Sequence, residues 1–352
     1  MKVALVILHA DPSRGGAERY TIDLARALAR RGHAVSLLAS SFNGAVEQVQ
    51  KVTIAARGIT RAGKYRAFLY ALDAHLATER YDIVHAMLPV RRCDLYHPHA
   101  GIAAEALGRL NVHFNPRRKR MAEVERELLL RSNGPVVLCL SNYIKQFVLK
   151  HYPLSTERLE TLFNAVDLEQ FVPQAQSARE TVEMLFIGHD FERKGLGPTI
   201  AAMRTLDDER LRLTVVGRPS RSFHLPPMKD VRRIDSTNDP VPLYAQSDVF
   251  VLPTKHDPCS LVVLEALAMG LPVISTKFNG ACEIMTDGVH GFVLEDPQDA
   301  EALAGAMRKM LDAELRGRMR AACLELRPKL SYEHHLDQLE AIYEKIIRSP
   351  LR

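Results

Sequence analysis

Two acidic residues, Asp257 and Glu265, lie eight positions apart on either side of a predicted helix start. The apolar run "DVFVLPT" ends at Thr254 and predicts a strand, and the segment from Ser260 to Gly270 predicts a helix. A helix that follows a strand offers free backbone amides and the positive end of its dipole to a phosphate. Because carboxylates accept hydrogen bonds from neighbouring hydroxyls, the arrangement predicts a site for a diphosphate with a sugar at each end. The alternative is a solvated Asp and a helical Glu in a salt bridge.

Two adjacent cations, Arg193 and Lys194, form a second feature. They lie in "GHDFERKG", which starts at Gly188 directly after the predicted strand "EMLFI". Cations between a strand and a helix suit a diphosphate and can neutralise a departing negative charge without a metal ion. A solvated basic pair is the alternative.

Gly15 and Gly16, in "RGGAER", separate the first predicted strand from the first predicted helix. Glycines at this place let the backbone approach a ligand at the helix start. The sequence has neither G-x-G-x-x-G nor a Walker motif. This absence argues against a dinucleotide-dependent oxidoreductase, which is an alternative class for such a chain.

The segment 107–131 combines cations with apolar residues. It contains seven Lys/Arg and three Asp/Glu. The consecutive cations are Arg117, Arg118, Lys119 and Arg120, and the apolar residues beside them are Leu107, Leu110, Val112 and Phe114. This mixture predicts a surface that contacts anionic lipid. A solvated charged helix is the alternative, and nucleic acid is disfavoured because no stacking platform accompanies the cations.

The elements that must position these residues alternate as strand, loop and helix in both halves of the chain. Strands are predicted at "KVALVIL", "HAVSLLAS", "YDIVHAML", "CDLYHPHAG" and "PVVLCLS", and then at "EMLFIGHD", "LRLTVVGR", "VRRIDST", "DVFVLPT", "PVISTK" and "GFVLED". Helices in the second half are predicted at 194–206, 240–247, 260–269, 280–286 and 299–312. The alternation predicts an α/β protein with two doubly wound parallel sheets that face each other across an interdomain cleft.

Length and composition agree with two domains. A chain of 352 residues is too long for one ordinary core, and its 47% apolar and 25% charged residues are typical of a soluble globular protein. Five cysteines without close pairing fit a reducing cytosol, and the first apolar run is too short for a signal peptide or a membrane span. We expect domains at 1–165 and 166–330, and a last helix in 331–352 that crosses back to the first domain.

Charge is distributed unevenly along the chain. Residues 1–165 carry 24 Lys/Arg and 14 Asp/Glu, a net charge of +10, whereas residues 166–352 carry 23 and 28, a net charge of −5. An anionic partner, such as a membrane surface, a phosphorylated glycan or nucleic acid, is therefore attracted to the first half.

Several of these motifs together resemble glycosyltransferase family 4. The resemblance rests on "RGGAER", "GHDFERKG", "VVGR", "YAQSDVFVLPT", "DPCSLVVLEALAMGLPV" and "DGVHGFVL". It implies the GT-B fold of two facing Rossmann-like domains, and a transfer that retains the anomeric configuration. Within the family, "DFERKG", "DLY" at 94–96 and "VERELL" at 124–129 are most similar to the enzymes that add glucose through an α-1,3 linkage to lipopolysaccharide cores.

The resemblance implies roles for the residues of the second half. Asp257 and Glu265 match the ends of the family's E-x7-E motif, in which Glu265 would hold the ribose and Asp257 the donor hexose. The amides of Ser260, Leu261 and Val262 would contact the diphosphate or the sugar. Further donor contacts are implied for Gly15, Gly16, Gly188, Arg193, Lys194, Gly217 and Ile234, the last of these near the uracil. The first acid is Asp where the family usually has Glu, so the donor hexose is less certain than the reaction class.

The resemblance also draws attention to "DLYHPHAG", at 94–101, where many relatives carry a His after a strand of the first domain. His99 is the first candidate for a catalytic contact, His97 the second and Asp94 the third, and a structural role is the alternative for each. Catalysis is expected to proceed by front-face attack, with Arg193, Lys194 and Asp257 positioning the donor and stabilising charge.

The expected function is therefore metal-independent transfer of a hexose, glucose first, from UDP-glucose or another UDP-sugar to a lipopolysaccharide-core or other lipid-linked glycan. We expect no cofactor, a cytoplasmic location at the surface of the inner membrane, and no nucleic-acid partner. A soluble acceptor is one alternative, and a non-catalytic protein that binds a nucleotide sugar is another.

Overall fold

The chain divides into two compact units in the computed structural model, which describes residues 1–44, 46–108, 115–175, 179–218, 228–235, 237 and 239–349. Unit 1 comprises Met1–Phe163 and His335–Arg352, and unit 2 comprises Asn164–His334. Each unit has its own parallel sheet.

Unit 1 is built from alternating strands and helices. Its elements are β1 (Lys2–Val6), α1 (Gly16–Arg30), β2 (Ala34–Ala39), β3 (Gln50–Thr53), α2 (Arg61–Thr78), β4 (Ile83–Ala86), β5 (Leu95–Tyr96), α3 (Ala103–Leu107), α4 (Pro116–Leu129), β6 (Val136–Cys139), α5 (Asn142–His151) and β7 (Leu159–Thr161). A 3-10 turn at Thr156–Arg158 precedes β7.

The described strands of unit 1 form a parallel sheet in the order β3-β2-β1-β4-β5-β6-β7. The order reverses between β1 and β4, which is where doubly wound sheets bind ligands. The β1 residues Ala4 and Val6 are buried in one core cluster with Phe68 and Leu72 of α2 and Val124 of α4. The apolar run of β1 is continuous because the strand is buried and has no side that faces solvent.

The first helix ends at a glycine in the left-handed conformation. Gly32 has a φ of +86°, and its amide donates to the carbonyl of Ala29 at 2.9 Å. The amide of His33 donates to the carbonyl of Leu28 at 3.2 Å. These two bonds are a Schellman motif, which glycine permits because the left-handed conformation costs it little.

Unit 2 repeats the pattern. Its elements are β8 (Val182–Ile187), α6 (Phe191–Lys194), α7 (Leu196–Leu206), β9 (Leu211–Val216), β10 (Val231–Ile234), α8 (Val241–Ala245), β11 (Val249–Leu252), α9 (Leu261–Ala268), β12 (Val273–Thr276), β13 (Gly291–Leu294), α10 (Ala300–Lys309), α11 (Ala313–Glu325) and α12 (Arg327–Leu330). Its described strands are parallel in the order β10-β9-β8-β11-β12-β13, with the reversal between β8 and β11.

The last helix, α13 (Tyr332–Arg348), begins in unit 2 and continues into unit 1 at His335. Inside unit 1 its residues His335, Leu336, Leu339, Tyr343 and Ile346 are buried. The apolar spacing of this helix therefore matches a face that packs on unit 1.

The predicted α/β class and the two doubly wound parallel sheets are confirmed. Two helix predictions need correction. The helix predicted from 194 to 206 is interrupted at Gly195, whose φ of +84° separates α6 from α7. The helix predicted at 280–286 is a 3-10 helix, Gly280–Ile284, which the side chain of Asn279 caps by accepting from the amide of Ala281 at 3.2 Å.

Candidate functional site

In unit 2, the loop between β11 and α9 is hydrogen-bonded to the neighbouring loop after β12. The amide of Asp257 donates to the carbonyl of Phe278, and the amide of Gly280 donates to the carbonyl of Asp257, both at 2.9 Å. The hydroxyl of Thr276 donates to the carbonyl of Thr254 at 2.6 Å. Asp257 is therefore fixed by backbone contacts at the carboxyl end of the sheet, beside the reversal in strand order.

The side chain of Asp257 forms a buried ion pair with Lys194, which follows β8. Both side chains are 11% exposed. Burial raises the pKa of Asp257, but the charge and the hydrogen bond of Lys194 outweigh burial and hold that pKa below its usual value. The structure thus brings together two residues that the sequence separates by 63 positions, and each neutralises the other.

Arg193 joins the same loop from the other side. Its Nη1 donates to the carbonyl of His256 at 2.8 Å, and its Nε donates to Asp190 Oδ2 at 3.1 Å. The carbonyl of Arg193 accepts from the amide of Lys255 at 2.8 Å. Arg193 is therefore half-buried and anchored, with a guanidinium that still reaches solvent.

The start of α9 lies directly after this pair. The amide of Ser260 donates to Asn279 Oδ1 at 3.2 Å. Within the described chain, the amides of Leu261 and Val262 donate to no protein group, because they belong to the first turn of the helix. Ser260 already has a protein acceptor, so Leu261 and Val262 are the better-placed amide donors for a ligand.

Glu265 is buried within α9. Its Oε2 accepts from the hydroxyl of Tyr244 at 2.8 Å, and only 5% of the residue is exposed. Tyr244 comes from α8 and is itself fully buried. The alternative of a solvated Asp257 is wrong, because Asp257 is buried and paired with Lys194, and Glu265 is buried as well.

Two glycines shape the edge of this region. Gly188 directly follows β8, and a Cβ there would meet Lys194 Cγ at 3.2 Å, so a larger residue would crowd the lysine. Gly217 has a φ of +136°, and its Cβ would lie 2.0 Å from the carbonyl oxygen of Gly188. The Gly217 amide donates to the carbonyl of Ile234 at 3.0 Å. Gly217 is therefore restricted to glycine by backbone contact.

In unit 1, Gly15 and Gly16 lie at the start of α1, as predicted. Gly15 is the N-cap and Gly16 is the first helical residue. Glu18 lies in the same turn, and burial raises its pKa. The predicted contact of these glycines with a diphosphate stays a prediction.

His97 and His99 follow β5 and belong to a buried aromatic cluster that sequence reasoning missed. The cluster comprises Tyr20, His85, His97, His99, His335 and Tyr343. His85 Nδ1 lies 2.8 Å from the Tyr343 hydroxyl, and His85 Nε2 lies 3.2 Å from His97 Nδ1. Tyr343 and His335 come from α13, so this helix supplies part of the candidate site.

One hydrogen bond in the cluster has a defined direction. His335 Nδ1 lies 2.8 Å from the carbonyl oxygen of Phe163, which only accepts, so Nδ1 carries a proton. In the neutral ring His335 Nε2 therefore accepts from the hydroxyl of Tyr20, at 2.8 Å. This contact explains why a tyrosine of α1 is fully buried.

His99 is the histidine of the pair with remaining exposure, at 8% against none for His97. Burial and the proximity of His335 lower the pKa of His99 to about 3. Burial also lowers the pKa of His97 well below its usual value. The Nε2 atoms of both rings are buried without a partner in the described part of the chain. Because its pKa is low, His99 is a weak base. It therefore suits a hydrogen bond to a hydroxyl better than full removal of the proton from that hydroxyl.

Asp94, the third candidate, does not join the histidines. It lies before β5, and its carboxylate accepts from the amide of Val84 at 2.7 Å. Because β5 is only Leu95–Tyr96, Asp94 lies at the amino end of the strand and the histidines at its carboxyl end. Asp94 is therefore not placed beside the histidines, and its predicted catalytic role stays a prediction.

The basic segment lies at the start of α4, except for Leu110, Val112 and Phe114, which fall outside the described residues. Arg118 and Lys119 are exposed, whereas Arg117 and Arg120 are half-buried. Arg120 pairs with Glu123 at 3.0 Å. Burial lowers the pKa of Arg117, and the like charges of Arg61 and Arg14 add to this effect. The four cations thus do not form one uniformly exposed face.

The inner face of α4 carries a buried acid, Glu125, that the sequence did not identify as structural. Its Oε1 accepts from the Tyr96 hydroxyl at 2.6 Å and from the Ala103 amide at 3.0 Å. Its Oε2 accepts from the Tyr152 hydroxyl at 2.9 Å and from the Ala104 amide at 3.0 Å. Burial raises the pKa of Glu125, and these hydrogen bonds oppose the rise. Glu125 therefore fixes the start of α3 and the loop that carries His97 and His99.

The described residues contain neither a metal-ligand cluster nor a membrane-spanning helix. In those residues, no group of three or more His, Cys, Asp or Glu side chains is arranged to hold a metal ion. Within the same ranges, no helix is both long enough and apolar enough to cross a bilayer.

Comparisons with known proteins match this architecture. Residues 14–170 match the family model described as Glycosyltransferase Family 4, and residues 181–313 match the model described as Glycosyl transferases group 1. The crystal structure of WaaG, a glycosyltransferase involved in lipopolysaccharide biosynthesis, has a TM-score of 0.80 at 21% identity and covers 99% of this chain and 100% of its own. The chain is therefore a glycosyltransferase with the GT-B fold, and its two halves match these two family models.

Particular relatives share much of the chain. The lipopolysaccharide glucosyltransferase WaaG of Escherichia coli (strain K12) is 26% identical over 84% of this chain and 86% of its own length. A D-inositol 3-phosphate glycosyltransferase of Thermobifida fusca (strain YX) is 27% identical over 97% of this chain and 93% of its own. The structure of Anabaena Alr3699/HepE in complex with UDP-glucose has a TM-score of 0.75 at 16% identity, with 98% of this chain and 100% of that chain covered.

Proposed function

We propose that the chain transfers a hexose, with glucose as first choice, from a UDP-sugar to a lipopolysaccharide core or another lipid-linked glycan. The transfer retains the anomeric configuration and needs no metal ion. The observation that carries the proposal is the buried Lys194–Asp257 pair beside the free amides of Leu261 and Val262. The names of WaaG and of the HepE complex with UDP-glucose support the donor and the acceptor class.

The local geometry suggests how unit 2 binds a donor. A diphosphate at the start of α9 meets the two amides and the helix dipole, and it attracts the ammonium of Lys194 away from Asp257. Asp257 is then available to accept from hexose hydroxyls. Glu265, held by Tyr244, is available to accept from the ribose. Lys194 and Arg193 then stabilise the charge that develops on the departing diphosphate.

The acceptor side of the proposal rests on unit 1. His99 positions the acceptor hydroxyl, and a phosphate oxygen of the donor takes its proton in front-face attack. The exposed cations of α4 contact anionic lipid at the cytoplasmic face of the inner membrane.

A second candidate is transfer to a soluble, phosphorylated acceptor. The similarity to a D-inositol 3-phosphate glycosyltransferase over 97% of this chain favours it. A soluble sugar phosphate as acceptor separates this candidate from the first, because it needs no lipid for turnover.

A transfer assay tests the proposal. Purified protein is incubated in chelator with one UDP-hexose at a time and with either a lipopolysaccharide core or a soluble sugar phosphate. Mass spectrometry identifies the product, and NMR reports its anomeric configuration. We expect one UDP-hexose to give an α-linked product on the core. An inverted linkage, or turnover that requires a divalent cation, contradicts the mechanism.

Matched variants connect the activity to the site. Lys194→Met and Glu265→Gln are expected to lower kcat/KM by at least about a hundredfold, because charge-assisted contacts to the donor are lost. Their controls are Lys229→Met and Glu209→Gln, whose side chains in the same unit are 75% and 89% exposed. Full activity in the first two variants excludes the assigned site.

A further inference from the structure

The loop between β3 and α2 in unit 1 presents an apolar side chain to solvent. Ile59 is fully exposed, at 104% of its reference area. Gly58, the residue before it, packs so tightly on the first turn of α2 that a Cβ there would meet the backbone carbon of Gly63 at 2.9 Å. The hydroxyl of Thr60 accepts from the Gly63 amide at 3.0 Å and caps the helix. The loop is thus held in a conformation that directs Ile59 outward.

A second exposed apolar residue lies close to Ile59. Tyr70 of α2 is 59% exposed. Both residues line an open groove of about 360 Å³, with Arg57, Thr60 and Arg66 among the other lining residues. A single exposed isoleucine is unremarkable, but an apolar and aromatic groove on one surface marks a contact site.

Two arginines, Arg57 and Arg66, line this groove, and the chain around it is basic. The 25 residues between Glu47 and Asp73 contain five Lys/Arg and no Asp or Glu. The guanidinium of Arg91 lies over the Tyr70 ring, 4.0 Å from its centroid. An exposed apolar side chain such as Ile59, with cations beside it, is complementary to anionic lipid. The apolar side chain enters the boundary of the acyl chains while the cations stay at the headgroups.

The groove adjoins the basic start of α4. Helices α2 and α4 are packed together. The charge of Arg61, the first residue of α2, is close enough to lower the pKa of Arg117, after the larger effect of burial. One basic surface therefore extends from the β3–α2 loop to α4, and Ile59 is its most exposed apolar point.

We propose that Ile59 and Tyr70 insert into an anionic lipid surface while Arg57, Arg61 and Arg66 bind its headgroups. The inference rests on the proposed membrane acceptor, and it assigns the contact to the β3–α2 loop in addition to α4. The loop is a docking element, and it takes no part in donor binding by unit 2.

The composition of the chain offers a direct test, because the protein has no tryptophan. Ile59→Trp introduces a single fluorescent probe at the loop. We expect its emission to shift to the blue with vesicles of phosphatidylglycerol in phosphatidylcholine, and brominated acyl chains to quench it. With pure phosphatidylcholine neither change is expected. The control is Val289→Trp, at an apolar residue of unit 2 that is 44% exposed, whose emission should stay unchanged.

The basic rim is tested separately. Arg57→Gln/Arg61→Gln should weaken vesicle binding by about 25-fold, since each cation near such a surface contributes about fivefold. The control Arg308→Gln/Lys309→Gln removes two adjacent exposed cations from unit 2 and should have no effect.

The outcomes separate this inference from the proposed function. If Ile59→Trp binds UDP but its emission does not respond to anionic vesicles, the lipid contact of this loop is wrong and the donor site stands. An equal response of Val289→Trp also overturns the inference, because it indicates nonspecific adsorption. If neither variant nor the parent protein binds UDP, the proposed function fails, whatever the vesicles show.

Discussion

At the scale of residues, the Lys194–Asp257 pair is the feature on which the proposed donor site depends. A buried ammonium and a buried carboxylate are each expensive to desolvate, and their mutual attraction compensates only while both are present. A donor diphosphate offers Lys194 a new partner. The pair is therefore a site that is neutral when empty and that gains charge contacts when occupied.

Single and double variants of this ion pair should differ in stability. Asp257→Asn leaves Lys194 without a counter-charge and should lower the free energy of unfolding by about 3–5 kcal/mol. Lys194→Met/Asp257→Asn should recover most of that loss. Urea unfolding measures both values. Glu209→Gln, which breaks the exposed 3.6 Å pair with Lys229, serves as the control and should have no measurable effect. A double variant as unstable as Asp257→Asn contradicts the account.

At the scale of elements, α13 links the histidine cluster to the rest of unit 1. Tyr343 and His335 of this helix contact His85 and Tyr20. Burial lowers the pKa of His85, His97 and His99, so these three rings are neutral in the folded protein at neutral pH. In the unfolded chain each recovers a pKa of about 6.5.

The stability should therefore fall in acid. Below pH 6.5 the unfolded chain binds protons that the folded cluster does not, so the free energy of unfolding decreases as pH falls toward about 3, the folded-state pKa of His99. Three histidines together give a slope of about 4 kcal/mol per pH unit below about pH 5.5. Urea unfolding in half-unit pH steps measures it. His99→Gln should remove about a third of the slope. The control His334→Gln, at an exposed position of α13, should not change the slope. A flat profile between pH 6.5 and 4.5 contradicts the prediction.

Glu125 makes a second prediction at this scale. Its two oxygens accept four hydrogen bonds from β5, α3 and the end of α5. Glu125→Gln replaces one accepting oxygen with a donor, and it should lower the free energy of unfolding by about 2–4 kcal/mol. Glu123→Gln, at a 44% exposed side chain on the same helix, is the matched control. Differential scanning calorimetry compares them, and equal melting temperatures would show that the network is not structural.

The elements also show what the sequence could and could not predict. Long apolar runs such as β1 and β11 are buried on both faces, so their pattern was sufficient to predict the strands and their parallel direction. The position of Asp94 was not predictable, because the sequence did not show that the strand is only Leu95–Tyr96, with Asp94 before it and the histidines after it. Glu125 looked like part of a charged helix, since its partners Tyr96 and Tyr152 are 29 and 27 positions away. The pairing of Lys194 with Asp257 likewise depends on strand order, which local patterns do not contain.

At the scale of the whole molecule, the uneven charge predicts how the chain meets a membrane. The net charge of +10 within residues 1–165 attracts anionic lipid, and added salt screens it. Flotation with phosphatidylglycerol vesicles should recover the protein at low salt and lose it at high salt. Arg118→Gln/Lys119→Gln should weaken binding by about 25-fold. Arg308→Gln/Lys309→Gln, in unit 2, should float like the parent protein. Equal flotation with neutral vesicles contradicts the electrostatic account.

Unit 2 is proposed to bind a UDP-sugar at the Lys194–Asp257 pair and the start of α9. Calorimetric titration with UDP and then with single UDP-hexoses, in chelator, tests it most directly. We expect micromolar binding of UDP, tighter binding of one UDP-hexose, and loss of both in Lys194→Met but not in Lys229→Met. Absence of nucleotide binding, or equal binding by Lys194→Met, would contradict the claim.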